Sequence, residues 1–64
     1  MPESKDVLAL LGDDELQAAD LSRRLGIRLE RLYVLLVSME ARGELQVIPF
    51  YDQGHRTSCA WRAA

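Results

Sequence analysis

The stretch from Asp20 to Gly43, DLSRRLGIRLERLYVLLVSMEARG, constrains this chain more than any other, because it reads as two helices meeting at a sharp turn. Ser22 stands four residues before Gly26, and Leu21, Leu25, Ile27, Leu32 and Leu35 are the apolar residues around the turn. A small side chain at Ser22 lets the second helix approach the first. Gly26 can take the left-handed conformation that a sharp helix end needs, and the leucines fill the angle between the helices. This is the spacing of a helix-turn-helix.

Sixty-four residues allow one domain, 1–64, with a small core, near the lower limit for folding without a disulfide, metal or partner. At 48% hydrophobic and 28% charged, the composition is that of a globular domain, and burying leucines must supply most of the stability. No apolar run approaches the eighteen or so residues of a membrane span, and no signal peptide is visible. The single cysteine, Cys59, excludes an intrachain disulfide. We therefore expect a cytoplasmic protein with no membrane insertion. The net charge of −2 conceals an asymmetry: Met1 to Ser22 carries one base against six acids, whereas Arg23 to Ala64 carries seven arginines against four acids. The positive charge lies in the part that would face a nucleic acid in such a fold.

Along the chain, a first helix is predicted over Ser4 to Leu11, with Ser4 as its N-cap and Gly12 as its stop. Val7, Leu8 and Leu11 share the face that packs on the helix-turn-helix. Asp13, Asp14 and Glu15 read as a solvated connection, since nothing nearby supplies further ligands at a metal-site spacing. Leu16 and Gln17 are expected as a two-residue strand pairing with the sheet at the end of the chain. The second helix spans Ala18 to Leu25. Asp20 in its first turn and Arg23 and Arg24 in its last complement the helix dipole, and a phosphate contact by either arginine is the second explanation.

The third helix is predicted from Leu29 to Ala41, stopping at Gly43, with Leu32, Leu35, Leu36 and Met39 as its core face. In a helix that reads DNA, the early exposed positions usually carry Arg, Lys, Asn, Gln, Ser or Thr. Here they are Leu29, Glu30, Tyr33, Val34 and Val37, preceded by Arg28. Leu29, Tyr33 and Val37 form a stripe at i, i+4 and i+8 that should lie outside the core. Such a stripe more often meets another protein than a groove of polar base edges.

Glu44 to Tyr51 alternates as a strand, Asp52 to His55 turns around Gly54, and Arg56 to Arg62 returns as the partner strand. The fold class is therefore α+β: a winged helix-turn-helix of three helices and a two-stranded β-hairpin wing. Pro49 cannot donate a ladder hydrogen bond, so the first wing strand should be an edge there or contain a bulge. Thr57, Cys59 and Trp61 fall on one face, and Trp61 is expected to cap the core rather than stack on a base. His55 and Arg56 at the wing tip are where such folds touch phosphate or the minor groove. His55 with Cys59 does not make a structural zinc site. With no paired nucleophile and base and no glycine-rich phosphate loop, neither an enzyme nor a cofactor is expected.

From Leu16 to Ile48 the chain is similar in length and register to the FeoC-like family of small ferrous-iron-transport proteins. The residues that carry the resemblance are LSRRLGIRLERLYVLLVSMEARGELQVI, with their poorly basic third helix. The resemblance implies a transcriptional regulator or a partner of an iron transporter's cytoplasmic domain. The several wing cysteines typical of that family, which would hold an iron-sulfur cluster, are reduced here to Cys59, so no cluster carries over. The chain is also comparable to small winged-helix regulators of pilus operons, whose leucine-rich third helix leads into a wing ending with tryptophan, here Trp61. Z-form nucleic-acid-binding domains share that tryptophan. Where they carry an Asn and Tyr contact pair, this chain has Tyr33 and Val37.

Two functions are thus expected. The first is a small DNA-binding transcriptional regulator, in which Arg28, Arg31, His55 and Arg56 contact phosphate of double-stranded DNA and Tyr33 lies against a base or sugar. The alternative is a protein-interaction module, in which Leu29, Tyr33, Val34 and Val37 dock a protein partner or a second copy. A homodimer would reconcile the two by doubling the phosphate contacts. The fold favours the first; the exposed chemistry favours the second.

Overall fold

The computed structural model describes residues 2–64, apart from the side chains of Asp52, Arg56, Thr57 and Ser58. Five elements follow in order: α1 (Ser4–Leu11), α2 (Ala18–Leu25), α3 (Leu29–Ala41), β1 (Leu45–Asp52) and β2 (His55–Ala63). Three helices followed by a two-stranded antiparallel hairpin make the α+β winged-helix layout. The three helices occupy the spans that their apolar period and glycine stops predict.

The turn between α2 and α3 shows why those residues are needed. Gly26 sits at φ 69°, ψ 34°, a left-handed conformation costly for any residue with a Cβ. The Ile27 N–H then reaches back to the Ser22 carbonyl at 3.2 Å, the bond that closes a Schellman turn. In return, the Ser22 hydroxyl donates to the Ile27 carbonyl at 2.5 Å. Ser22 therefore does more than stay small: it ties both sides of the turn together. The end of α3 closes in the same way, with the Gly43 N–H on the Glu40 carbonyl and the Glu44 N–H on the Met39 carbonyl, both at 2.9 Å.

Two local expectations are corrected. The N-cap of α1 is Glu3, not Ser4, and the Glu3 N–H donates to Asp6 Oδ2 at 2.7 Å. Ser4 instead accepts a hydrogen bond from Arg42 Nη2 at 2.9 Å, across most of the chain. The expected two-residue strand is a single bridge: Leu16 exchanges two backbone bonds with Trp61, at 3.0 and 2.8 Å, while Gln17 already caps α2.

Val7, Leu11, Ala18, Leu21, Leu32, Leu36, Met39, Leu45 and Trp61 form one buried cluster, to which every element contributes. Leu8, Leu16, Leu25, Ile27, Leu35 and Val47 pack against it, partly covered. Trp61 is only 4% exposed, so it closes the core as expected, and its indole Nε1 has no hydrogen-bond partner among the described residues. Because the Leu16 bridge occupies the outer side of β2, β1 forms the open edge of the sheet and carries Pro49 there. A bulge does occur near the tip, but in the other strand: Phe50 pairs with Ser58 and Tyr51 with Arg56, so the extra residue is Thr57 of β2.

The hairpin loop is shorter than expected. Asp52 and His55 pair as strand residues, leaving Gln53 and Gly54 as a two-residue turn with φ of 52° and 82°. Positive φ at both central positions is the mark of a type I′ turn, whose twist matches that of the strands it joins.

Candidate functional site

The two sides of α3 define the site. Leu32, Leu36 and Met39 recur at four and three residues and are fully buried. At 3.6 residues per turn, the row opposite them is Glu30, Val34, Val37 and Ala41. That row faces solvent: Val34 is 72% exposed and Val37 56%. Leu29 and Tyr33 lie on the flank between this crest and the core, which explains their lower exposures of 40% and 39%. The apolar stripe expected outside the core is outside it, with valines at its crest.

Positive charge collects at one end of the stripe. Arg28 is the N-cap of α3, with no side-chain bond to the helix, and Arg31 lies in the first turn; both are exposed. Arg23 and Arg24, also exposed, end α2 on the other side of the turn. Arg23 is held by Asp20 at 2.5 Å. Among the described residues, Arg24, Arg28 and Arg31 have no ion pair; the other two pairs are Lys5 with Glu3 and Arg42 with Glu44. Glu30 suits the positive end of α3 and opposes an approaching phosphate.

At the wing, His55 is exposed and begins β2 directly after the turn. The Arg56 side chain, also expected to contact phosphate, lies outside the described residues. Residues 50 and 51 were not anticipated as surface: Phe50 is 42% exposed and Tyr51 64%. Neighbours in a strand point to opposite faces, and both are exposed here because every residue of described burial from Pro49 to His55 is exposed, so neither face of this end of the hairpin is covered by the core. The only sequence signal was two adjacent aromatic residues just after Pro49.

Other candidate features fall away from this surface. The burial of Trp61 removes its ring from any stacking role, and Cys59 is free and half-buried in β2. Asp13, Asp14 and Glu15 are all exposed, and no group of three metal-ligating side chains occurs among the described residues. No helix of the described residues is long and apolar enough to cross a membrane. No family model, curated protein or solved structure matches the chain.

Proposed function

We propose that the chain is a protein-docking winged-helix module whose α3 meets another protein through Leu29, Tyr33, Val34 and Val37. The observation that carries this reading is the exposure of four large apolar side chains on the helix that, in a DNA-reading winged helix, presents polar groups to base edges. Of the groups on the floor of the major groove, only the thymine methyl is apolar, so valines at the crest have little to read there. A partner protein offers what they need: removal of apolar surface from water. The resemblance to FeoC-like proteins, through the role of transporter partner that it implies, agrees with such an adaptor.

DNA binding is the second reading, favoured by Arg24, Arg28 and Arg31, three exposed guanidinium groups around the turn with no ion pair among the described residues. Both readings are tested by placing a photo-crosslinking residue at Val34 in cells. The docking module gives a discrete adduct that is destroyed by protease, insensitive to nuclease and absent when Val37→Glu is added. A nuclease-sensitive adduct would overturn it in favour of DNA. Fluorescence anisotropy of a random-sequence duplex supplies the complement: steeply salt-dependent binding with Kd of about 10⁻⁴ to 10⁻⁶ M is the result expected from a DNA binder.

A further inference from the structure

The open edge of β1 is a second uncovered feature of the molecule, and its hydrogen-bonding phase is fixed by bonds elsewhere in the sheet. Leu16 takes both backbone groups of Trp61, so Val47 and Trp61 face each other without exchanging bonds. The Ala64 N–H donates to the Glu44 carbonyl at 3.0 Å, which sets the bonded pairs at every second residue: Glu44, Gln46 and Ile48 turn their backbone groups toward β2. Leu45, Val47 and Pro49 therefore direct theirs outward, and among the described residues no backbone group outside the hairpin bonds to them. Pro49 suits that phase, because the N–H it lacks would point away from β2.

Such an edge is a template for another strand, and proteins usually guard it with charge. From Leu45 to Tyr51 this chain has no charged side chain, and Pro49 alone stands guard. We propose that the edge is a homodimer interface, in which β1 of a second copy pairs antiparallel to β1 about a two-fold axis at Gln46, making one four-stranded sheet. In this register Leu45 bonds Val47 of the second copy and Val47 bonds its Leu45. Four backbone bonds form, both groups of each paired residue are satisfied, and Pro49 lies just beyond the ladder. Centring the pair on Val47 instead would set each Leu45 carbonyl against a proline with no N–H, so Pro49 selects the register. Gln46 is exposed and faces its own copy across the axis, where an amide supplies both donor and acceptor. A foreign strand would find the same backbone groups, but no charge or pocket on this edge would select its sequence. The interface is small, so the dimer is a weak one. It stands whether α3 meets a protein or DNA.

The full chain is followed by sedimentation equilibrium from about 1 μM to 1 mM, and a concentration-dependent dimer is expected. Gln46→Lys and Gln46→Glu each set like charges face to face at the axis, and each should weaken the dimer at least about tenfold. An equimolar mixture of the two should restore it as a heterodimer, while each variant alone melts like the parent at low concentration. In a Cys59→Ser background, Gln46→Cys should oxidise to a covalent dimer much faster than Ile48→Cys. Facing residues at the axis have Cα atoms about 4.5 Å apart, within disulfide reach, whereas the two copies of Ile48 stand four positions out of level. A monomer at every concentration overturns the proposal. So does a dimer that survives Gln46→Lys but is lost in Val34→Ser with Val37→Ser, which assigns self-association to α3 instead.

Discussion

Both faces of α3 carry large apolar side chains, and their fates are opposite. Leu32, Leu36 and Met39 are sealed between α2, β1 and the rest of the core, whereas Val34 and Val37, half a turn away, face water with little around them. Helix α3 is thus a poor example of an amphipathic helix, and the turn that fixes its register decides which apolar row is buried. Stability is served by one face only. The apolar character of the other therefore points to something beyond folding.

The sharpest way to break this comparison is to truncate one residue from each face. Leu36→Ala empties a fully buried site and should cost about 2 to 5 kcal/mol. For a domain this small that is a fall in Tm of at least about 8 °C, read by circular dichroism. A cost comparable to that of a surface change would mean that the core is loosely packed and that the distinction between the faces is weaker than the burial shows.

Next in size is Gly26→Ala, which tests the turn that sets the register. No atom lies within 4 Å of the added Cβ, so the penalty comes from the left-handed backbone alone, about 1 to 2 kcal/mol. A neutral result would show that the turn can relax and that α3 can rotate. Trp61→Phe should cost less, below about 1 kcal/mol in the same melts. The smaller ring gives up packing, but it also removes a buried N–H that has no partner among the described residues, and that relief is worth about 1 to 3 kcal/mol. A loss above 2 kcal/mol would mean that the indole N–H is satisfied in solution.

How much of this could be read from the residues depends on how local the cause is. The spans of α1, α2 and α3 were legible because an apolar period of 3.6 and a glycine just past each C-terminal end are properties of neighbouring residues. The cap of α1 was not. Ser4 is a good cap by preference, but its hydroxyl is engaged by Arg42, thirty-eight residues away. The extent of the wing strands was slightly underread because a type I′ turn at Gln53 and Gly54 needs positive φ at a glutamine, which composition does not favour. In the candidate site, the outward stripe followed from helical geometry. The exposure of both Phe50 and Tyr51 did not, since alternation assumes that one face of the strand is covered, and every residue of described burial from Pro49 to His55 is exposed.

The smallest expected effect on stability is the most informative for function. In Val34→Ser with Val37→Ser, two exposed side chains on the crest of α3 are replaced by smaller polar ones. Serine and valine have similar helix propensities, and neither valine belongs to the core cluster, so the melting curve should move by no more than about 0.5 kcal/mol. The same variant should lose the protein adduct formed by a photo-crosslinking residue placed at Tyr33. Weak loss of stability with full loss of docking assigns the crest to a partner. If the variant instead melts like Leu36→Ala, Val34 and Val37 are part of the core in solution, and the case for a docking face falls with them.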